Sequence, residues 1–267
     1  MGFGFWNRDY RLDKMSLKDL WVAYFMHYTI QAYLLLSVVG IYFAAQNYVS
    51  ALPVALSVIA ALVIYPFAWY LLHRYVLHGK SLYRSPLTAK VWKRIHFDHH
   101  RDPHDLNVLF GALYTTLPTI VLVTMPVGWL LGGMAGLWAS FSAGLIITCF
   151  YEFNHCIQHL NYTPKLKILQ TIKQLHLRHH FHDEHSNYGI TNFMPDRIFG
   201  TFAPKVQGRQ RSETVFNLGY TGEEVQRYPW VARATDDIDE DVAVTQGIDR
   251  RKPQDIQDSQ NKTEKAA

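Results

Sequence analysis

Two stretches of this sequence, residues 20–72 and 106–151, contain no Asp, Glu, Lys or Arg. That absence excludes an ordinary soluble helical fold, whose helices carry polar faces between their apolar stripes. Each run far exceeds the roughly 18 apolar residues that suggest one membrane span, and has room for two crossings at about 20 residues each. Cysteine is scarce: Cys149 and Cys156 form no Cys-x-x-Cys pair and offer no disulfide framework. The start, Met1-Gly2-Phe3-Gly4-Phe5-Trp6, has neither an early apolar core nor a small-residue cleavage site. Trp6 also stands where a myristoylation signal has Ser or Thr. The first apolar run is therefore expected to serve as its own insertion signal. No Gly-rich dinucleotide fingerprint occurs. The formal charge of +4 is small and its basic residues lie beside apolar runs, so nucleic-acid binding is not expected.

What is present predicts an all-α integral membrane four-helix bundle of two helical hairpins. A cytoplasmic helical cap is expected to carry a histidine-rich dimetal site. The spans are expected at about 20–45, 51–72, 108–131 and 134–153. Asn47 and the Ser50–Pro53 stretch separate the first pair, and Gly132-Gly133 makes the second hairpin. Pro118 and Pro126 fall inside the third span, where membrane helices tolerate them. Residues 1–19 read as a cytoplasmic N-terminal segment and 20–228 as the membrane domain. Residues 229–267 read as a polar, disordered tail.

All 26 Lys and Arg lie in residues 8–18, in residues 74–101 or from Lys165 onward. The two short loops between paired spans have none, so the positive-inside rule places both termini in the cytoplasm. The linker from His73 to Asp105 reads as an amphipathic helix on the membrane surface, with Lys90-Val91-Trp92-Lys93-Arg94-Ile95 mixing basic and apolar residues.

Ten of the 14 His fall into four groups: His73 and His78; His96, His99 and His100; His155 and His159; His176, His179 and His180. Residues three and four apart share a helix face, so each His-x-x-His-His points several rings one way. His73 and His78 are five apart and diverge by about 140° on a regular helix, which predicts an end, bend or bulge there. Neutral imidazole ligates iron, zinc and copper. Ten rings exceed the coordination of one ion and suit two ions with four or five each. All four groups sit at one membrane face, where an apolar chain can reach them from the bilayer and electrons and protons from water.

His27 reads as a polar residue packed inside the first span. His104 and His182 are candidates to orient a metal-ligating ring, as are Asp98, Glu152, Asp183 and Glu184. His182 and His185 read equally as solvated surface, and His185, like His182, could orient a ligand. Tyr65, Trp69, Tyr70, Tyr75 and Tyr151 read as an interfacial aromatic belt.

The run His73-x4-His78, His96-x2-His99-His100, His155-x3-His159 and His176-x2-His179-His180 resembles the fatty acid hydroxylase superfamily. That membrane group also holds sterol desaturases, sterol methyl oxidases and carotenoid hydroxylases. Asn187-Tyr188-Gly189-Ile190-Thr191 and Asp196-Arg197-Ile198-Phe199-Gly200-Thr201 are similar to the family's closing segment, with Pro195 where many members have Trp. The resemblance covers about residues 60–205. It implies two iron ions held by the ten histidines, O2 as co-substrate, and hydroxylation of a fatty acid, ceramide or other membrane lipid. It also implies an external electron donor, a ferredoxin or a cytochrome with its reductase, because the first 19 residues are too short for a fused cytochrome domain. Zinc is the other metal such imidazole sites accept. Compact size favours a bacterial inner membrane, with the endoplasmic reticulum the location in a eukaryote. A sterol or carotenoid oxygenase or desaturase is the nearest alternative, and a non-enzymatic metal-binding membrane protein the alternative of a different class.

Overall fold

The computed structural model describes residues 10–235, and its regular elements are all helices. Helix α1 spans Leu17–Met26 and α2 spans Tyr28–Gln46. Ser16 opens α1 with a capping box, accepting from the Asp19 N–H while the Asp19 carboxylate accepts from its own. The charge-free run suggested one unbroken helix from about residue 20, and the structure breaks it at His27. That residue has extended backbone, and its Nδ1 accepts from Thr29 N at 3.3 Å. Its ring also stacks on Phe110 at 4.1 Å. His27 is thus the N-cap of α2 rather than an interior polar residue.

Helix α3, Ala51–Leu71, runs directly into a π-helical turn at Leu72–Leu77. Short helices follow: α4 Ser81–Arg84, α5 Ala89–Trp92, α6 Asp98–Arg101 and α7 Leu106–Leu109. A second π-helical turn, Lys93–Phe97, joins α5 to α6. The expected surface helix between 73 and 105 is therefore a series of short turns.

Helix α8 covers Leu113–His159 and is broken at Gly132 and Gly133, the latter at φ +56°. Its two limbs fold back on each other. Ser140 Oγ donates to the Thr124 carbonyl at 2.9 Å, and a Cβ at Gly144 would lie 2.8 Å from Thr124 and 2.9 Å from Ile120. Residue 128 thus faces 136 and residue 120 faces 144, an antiparallel pairing that small residues make possible by letting backbones approach. A Cβ at Gly136 would stand 2.3 Å from the Gly128 carbonyl and 2.4 Å from Ser57 Oγ. Gly136→Val is expected to cost about 3 kcal/mol through overpacking, read as a lowered Tm in detergent micelles. Leu130→Val, on a side chain 74% exposed, should shift Tm little. Equal Tm values for the two variants would mean the limbs do not meet at residue 136.

The other long helices lie against these limbs. Ser57 of α3 donates to Gly128 O at 3.2 Å, Tyr65 to Thr148 Oγ1 at 3.1 Å, and Ser142 reaches Ser37 O of α2 at 3.1 Å. Among the described residues three helical stretches are long and apolar enough to cross a membrane: Tyr28–Gln46, Ala51–Leu77 and Leu106–His159. Leu35, Val38 and Leu122 on their outer faces are 62–74% exposed. Apolar surface of that extent needs a lipid environment, and this is a membrane protein.

Helices α9 Lys167–Phe181, α10 Met194–Ile198, α11 Glu223–Arg227 and α12 Trp230–Arg233 complete the described chain. Val231 and Ala232 join Tyr83, Trp92, Phe97 and Tyr220 in a second apolar core. Residues 229–235, assigned from composition to the polar tail, are thus folded, and the rest of that tail lies outside the described residues. At the other end Leu12 is fully buried, its N–H donating to His104 O and its carbonyl accepting from Asn161 N. Residues 1–9 lie outside the described residues.

Candidate metal centre

The ten grouped histidines come from the end of α3, the Lys93–Phe97 turn with α6, the end of α8, and α9. At the end of α3 the π-helical turn resolves the awkward five-residue spacing. His78 N donates to His73 O at 3.0 Å, an i→i+5 bond, and the two Nε2 atoms lie 3.2 Å apart. The second π-helical turn, closed by Asp98 N on Lys93 O, carries His96 inward ahead of His99 and His100. Lys173 fixes the end of α8 against α9, its ammonium donating to the carbonyls of Ile157, Leu160 and Tyr162 at 2.5–3.2 Å. A cation there also meets the negative end of the helix dipole.

Nine of the rings fall into two groups, and His179 forms a third, overlapping one with His100 and His180. His99, His155, His159, His176 and His180 each offer a nitrogen within 4.8 Å of the others'. His73, His78, His96 and His100 form the second group on the same criterion. His179 adjoins this second group, with ring centroids 4.8 Å from His73 and His78 and 5.1 Å from His100. His100 and His180 stack at 4.2 Å where the groups meet. Each His-x-x-His-His is divided: the i, i+4 pair (His96 and His100; His176 and His180) serves one group, and the middle histidine crosses to the other. Two helices, α6 with its preceding turn and α9, therefore feed both groups in complementary fashion.

Electrostatics and hydrogen bonding suit ligation. Burial lowers the pKa of His96, His99, His176, His179 and His180, with neighbouring imidazoles adding to the effect, and it takes His100 down to about 3. The rings are held neutral, the form that binds metal. Three of them meet a backbone carbonyl at Nδ1: His73 at Tyr188 O (2.6 Å), His100 at Val215 O (3.0 Å) and His179 at Ser186 O (2.8 Å). Those bonds leave Nε2 as the free lone pair. Nε2 of His96, His100, His155 and His179, and both nitrogens of His99 and His180, are buried without a protein partner. Buried polar atoms left unpaired in such number are costly. Nε2 of His159 and Nε2 of His176 lie 2.9 Å apart, close to the roughly 3 Å separation of two nitrogens sharing a metal at about 2.1 Å. The donor set fits metal ions.

A cavity of about 300 Å³ opens against both groups. Leu72, Val76, Leu77, Val91 and Ile95 give it apolar walls, and His73, His96, His99, His155, His176 and His180 form its histidine side. Glu152 also lines it, its carboxylate accepting from Gly111 N at 3.1 Å.

The remaining sequence candidates are dispersed. His104 Nδ1 bonds the carbonyl of His159 at 3.0 Å and so braces the end of α8 rather than a ring. His182 lies past the end of α9, its Nε2 buried without a protein partner. Asp98 is paired with Lys93 at 2.7 Å, and Asp183 reaches Arg209 at 3.5 Å. Glu184 is buried and engages Ser212 and Thr214. Of the aromatic belt, Tyr65 and Tyr70 are buried, and Trp69 and Tyr151 line the cavity. Tyr75 is the exposed member. The carbonyls of Tyr188, Ser186 and Val215 had no signal in the sequence, since every residue has one. Asp196 did: it is buried and accepts from Tyr188 N (2.7 Å), Gly189 N (2.8 Å) and Thr201 Oγ1 (2.7 Å). Pro195 sits at the start of α10, where a missing N–H costs nothing.

Fold and site together define a helical membrane protein with a buried cluster of histidines able to hold metal ions. A model of the fatty acid hydroxylase family matches residues 58–201, more than half the chain, and the protein belongs to that family. Among curated relatives, dihydroceramide fatty acyl 2-hydroxylase FAH1 of Arabidopsis thaliana is 28% identical over 145 residues, 54% of this chain and 59% of that protein. Human fatty acid 2-hydroxylase is 26% identical over 52% of this chain and 38% of its own length. The ceramide very long chain fatty acid hydroxylase SCS7 of Saccharomyces cerevisiae is 27% identical over 51% and 36%. The matches thus span from about a third to three fifths of these relatives. A solved structure of full-length Scs7p, with only its hydroxylase domain visible, superposes with a TM-score of 0.57 at 21% identity. That match covers 79% of this chain and 85% of the other, a likeness of fold.

Proposed function

We propose that this chain is a membrane-bound oxygenase that hydroxylates the chain of a fatty acid or membrane lipid, using two metal ions, O2 and two electrons from an external donor. The observation that carries this reading is the convergence of ten histidine rings in one buried cluster, six of which line a single largely apolar cavity. The names of the relatives, fatty acid and ceramide hydroxylases, support an acyl lipid, with ceramide among the candidates.

In this reading His99, His155, His159, His176 and His180 hold one ion, and His73, His78, His96, His100 and His179 hold the other. A pair of iron ions, when bound, supplies activation of dioxygen and removal of hydrogen from an unactivated carbon. The protein's part is positional. The carbonyls of Tyr188, Ser186 and Val215 hold the proton of their rings on Nδ1 and aim Nε2 inward. Leu72, Val76, Leu77, Val91 and Ile95 align an apolar chain past the histidines and keep water from it.

Four spans complete the proposal, the two limbs of α8 counting separately, with the basic segments and both termini in the cytoplasm. The membrane is a bacterial inner membrane, or the endoplasmic reticulum in a eukaryotic host. The electron donor is a ferredoxin or a cytochrome with its reductase.

Mass spectra of lipids from cells expressing the chain test the reading, with cells expressing a His99→Ala, His179→Ala double variant as the comparison. The expected result is a lipid heavier by one oxygen atom that appears only with the unaltered chain. Loss of two hydrogens would make the reaction a desaturation. Identical spectra, with both proteins in the membrane and a competent donor co-expressed, would overturn the proposal.

A further inference from the structure

Two loops supply carbonyls to rings of the same histidine group. Ser186 O meets His179 Nδ1 at 2.8 Å, and Val215 O meets His100 Nδ1 at 3.0 Å. The two rings face each other with centroids 5.1 Å apart, although the loops are separated by nearly thirty residues of chain. Neither carbonyl sits in a regular element that would hold its direction. Something must fix each loop, and fix one relative to the other.

Glu184 stands at their junction. It lies two residues before Ser186, and its side chain is 1% exposed. Its Oε1 accepts from Ser212 Oγ at 2.9 Å and, in a shorter bond, from Thr214 Oγ1, the residue immediately before Val215. Ser212 Oγ in turn caps the turn by accepting from Thr214 N at 3.2 Å, and Ser212 N donates to His182 O at 2.8 Å. His185 Nε2 lies 3.2 Å from the same Oε1. A carboxylate taken out of water is costly unless its bonds are needed. Glu184 keeps its position although Oε2 has no protein partner.

We infer that Glu184 is a positioning residue for one metal ion alone. Its carboxylate clamps the 183–186 loop to the 212–215 loop, and so sets the orientation of His179 and His100 together. The five-histidine group does not depend on the clamp. His155, His159 and His176 make no bond to either loop, and the end of α8 that carries the first two is held by Lys173. The inference rests on the proposed two-ion site, and it predicts that the ions are lost separately.

The test is zinc stoichiometry of the full chain in micelles, equilibrated in zinc buffers spanning a range of free metal. Wild type should take up two zinc ions. Glu184→Ala should keep one at its original affinity and bind the other 10- to 100-fold more weakly, the range typical when a ligand's outer partner is lost. Thr214→Val removes one clamp bond without removing the carboxylate and should weaken the same ion by a smaller factor. Placing Glu184→Ala in a His155→Ala, His176→Ala background should weaken the one remaining zinc by the same 10- to 100-fold. In a His78→Ala, His96→Ala background it should change nothing. Equal weakening of both ions, or two ions at wild-type affinity in Glu184→Ala, would overturn the inference. Fewer than two ions in wild type would instead count against the proposed function.

Discussion

His99→Ala is expected to remove one of two ions and to lower formation of oxygenated lipid by at least ~10³-fold, more than the ten- to hundredfold typical of losing an outer partner. His99 is the hub of the five-histidine group, with ring centroids 4.4 Å from His180, 4.7 Å from His155 and 4.9 Å from His159. Neither of its nitrogens has a protein partner, so in the metal-free chain the ring contributes unsatisfied polarity instead of a bond. Alanine removes that liability, and the metal-free variant should match the metal-free wild type in Tm. The cost appears only on adding metal, where wild type gains more stability by mass action. Measuring zinc content, Tm with and without zinc, and lipid product in one preparation separates lost ligation from lost folding. Lys165→Ala, an exposed change on the 160–166 connection, serves as the control. A His99→Ala chain with two ions and full product would place the ion elsewhere.

How much of this was legible beforehand follows from which groups carry side-chain signals. The charge-free runs marked the apolar helices, and Gly132-Gly133 marked the reversal in α8, because both depend on residue type. The break at His27 did not show, since no Gly, Pro or charge marks it and the signal is one imidazole replacing a backbone partner. The spacing of His73 and His78 signalled a departure from α-helical geometry without naming it. A π-helical turn is one local solution among several, and here it is selected by the His78-to-His73 bond. Shared helix faces indicated that each His-x-x-His-His points inward together. They could not show that the middle histidine crosses to the other group, because that depends on how α6 and α9 lie against α8. The carbonyls on His73, His100 and His179 were invisible for the plainest reason: backbone acceptors are identical in every residue, and only the fold aims them.

Asp196→Asn is expected to lower stability by about 2 kcal/mol, or roughly 4–8 °C in Tm for a chain of this size, and to weaken the ion near His73. The reason is a directed chain of bonds. Arg74 donates to Tyr70 Oη at 2.7 Å, and Tyr70 lies 2.9 Å from Thr201 Oγ1, which donates to Asp196 Oδ1 at 2.7 Å. Because Thr201 spends its proton on the carboxylate, it accepts from Tyr70. Asp196 also takes the N–H of Tyr188 on Oδ1 and that of Gly189 on Oδ2, which turns the Tyr188 carbonyl onto His73 Nδ1. Every group in the chain needs an acceptor at Asp196. Asparagine can supply one oxygen, and its amide must then face either Gly189 N–H or the pair formed by Tyr188 N–H and Thr201. Two donors are set against each other whichever way it turns. Asp196→Ala leaves all three donors unpaired and should cost more, about 3–5 kcal/mol. Zinc titration should show the same ordering, Ala weaker than Asn and Asn weaker than Asp, for one ion of the two. A variant whose Tm falls while both ions bind as before would mean that the Tyr188 carbonyl does not control the His73 ring.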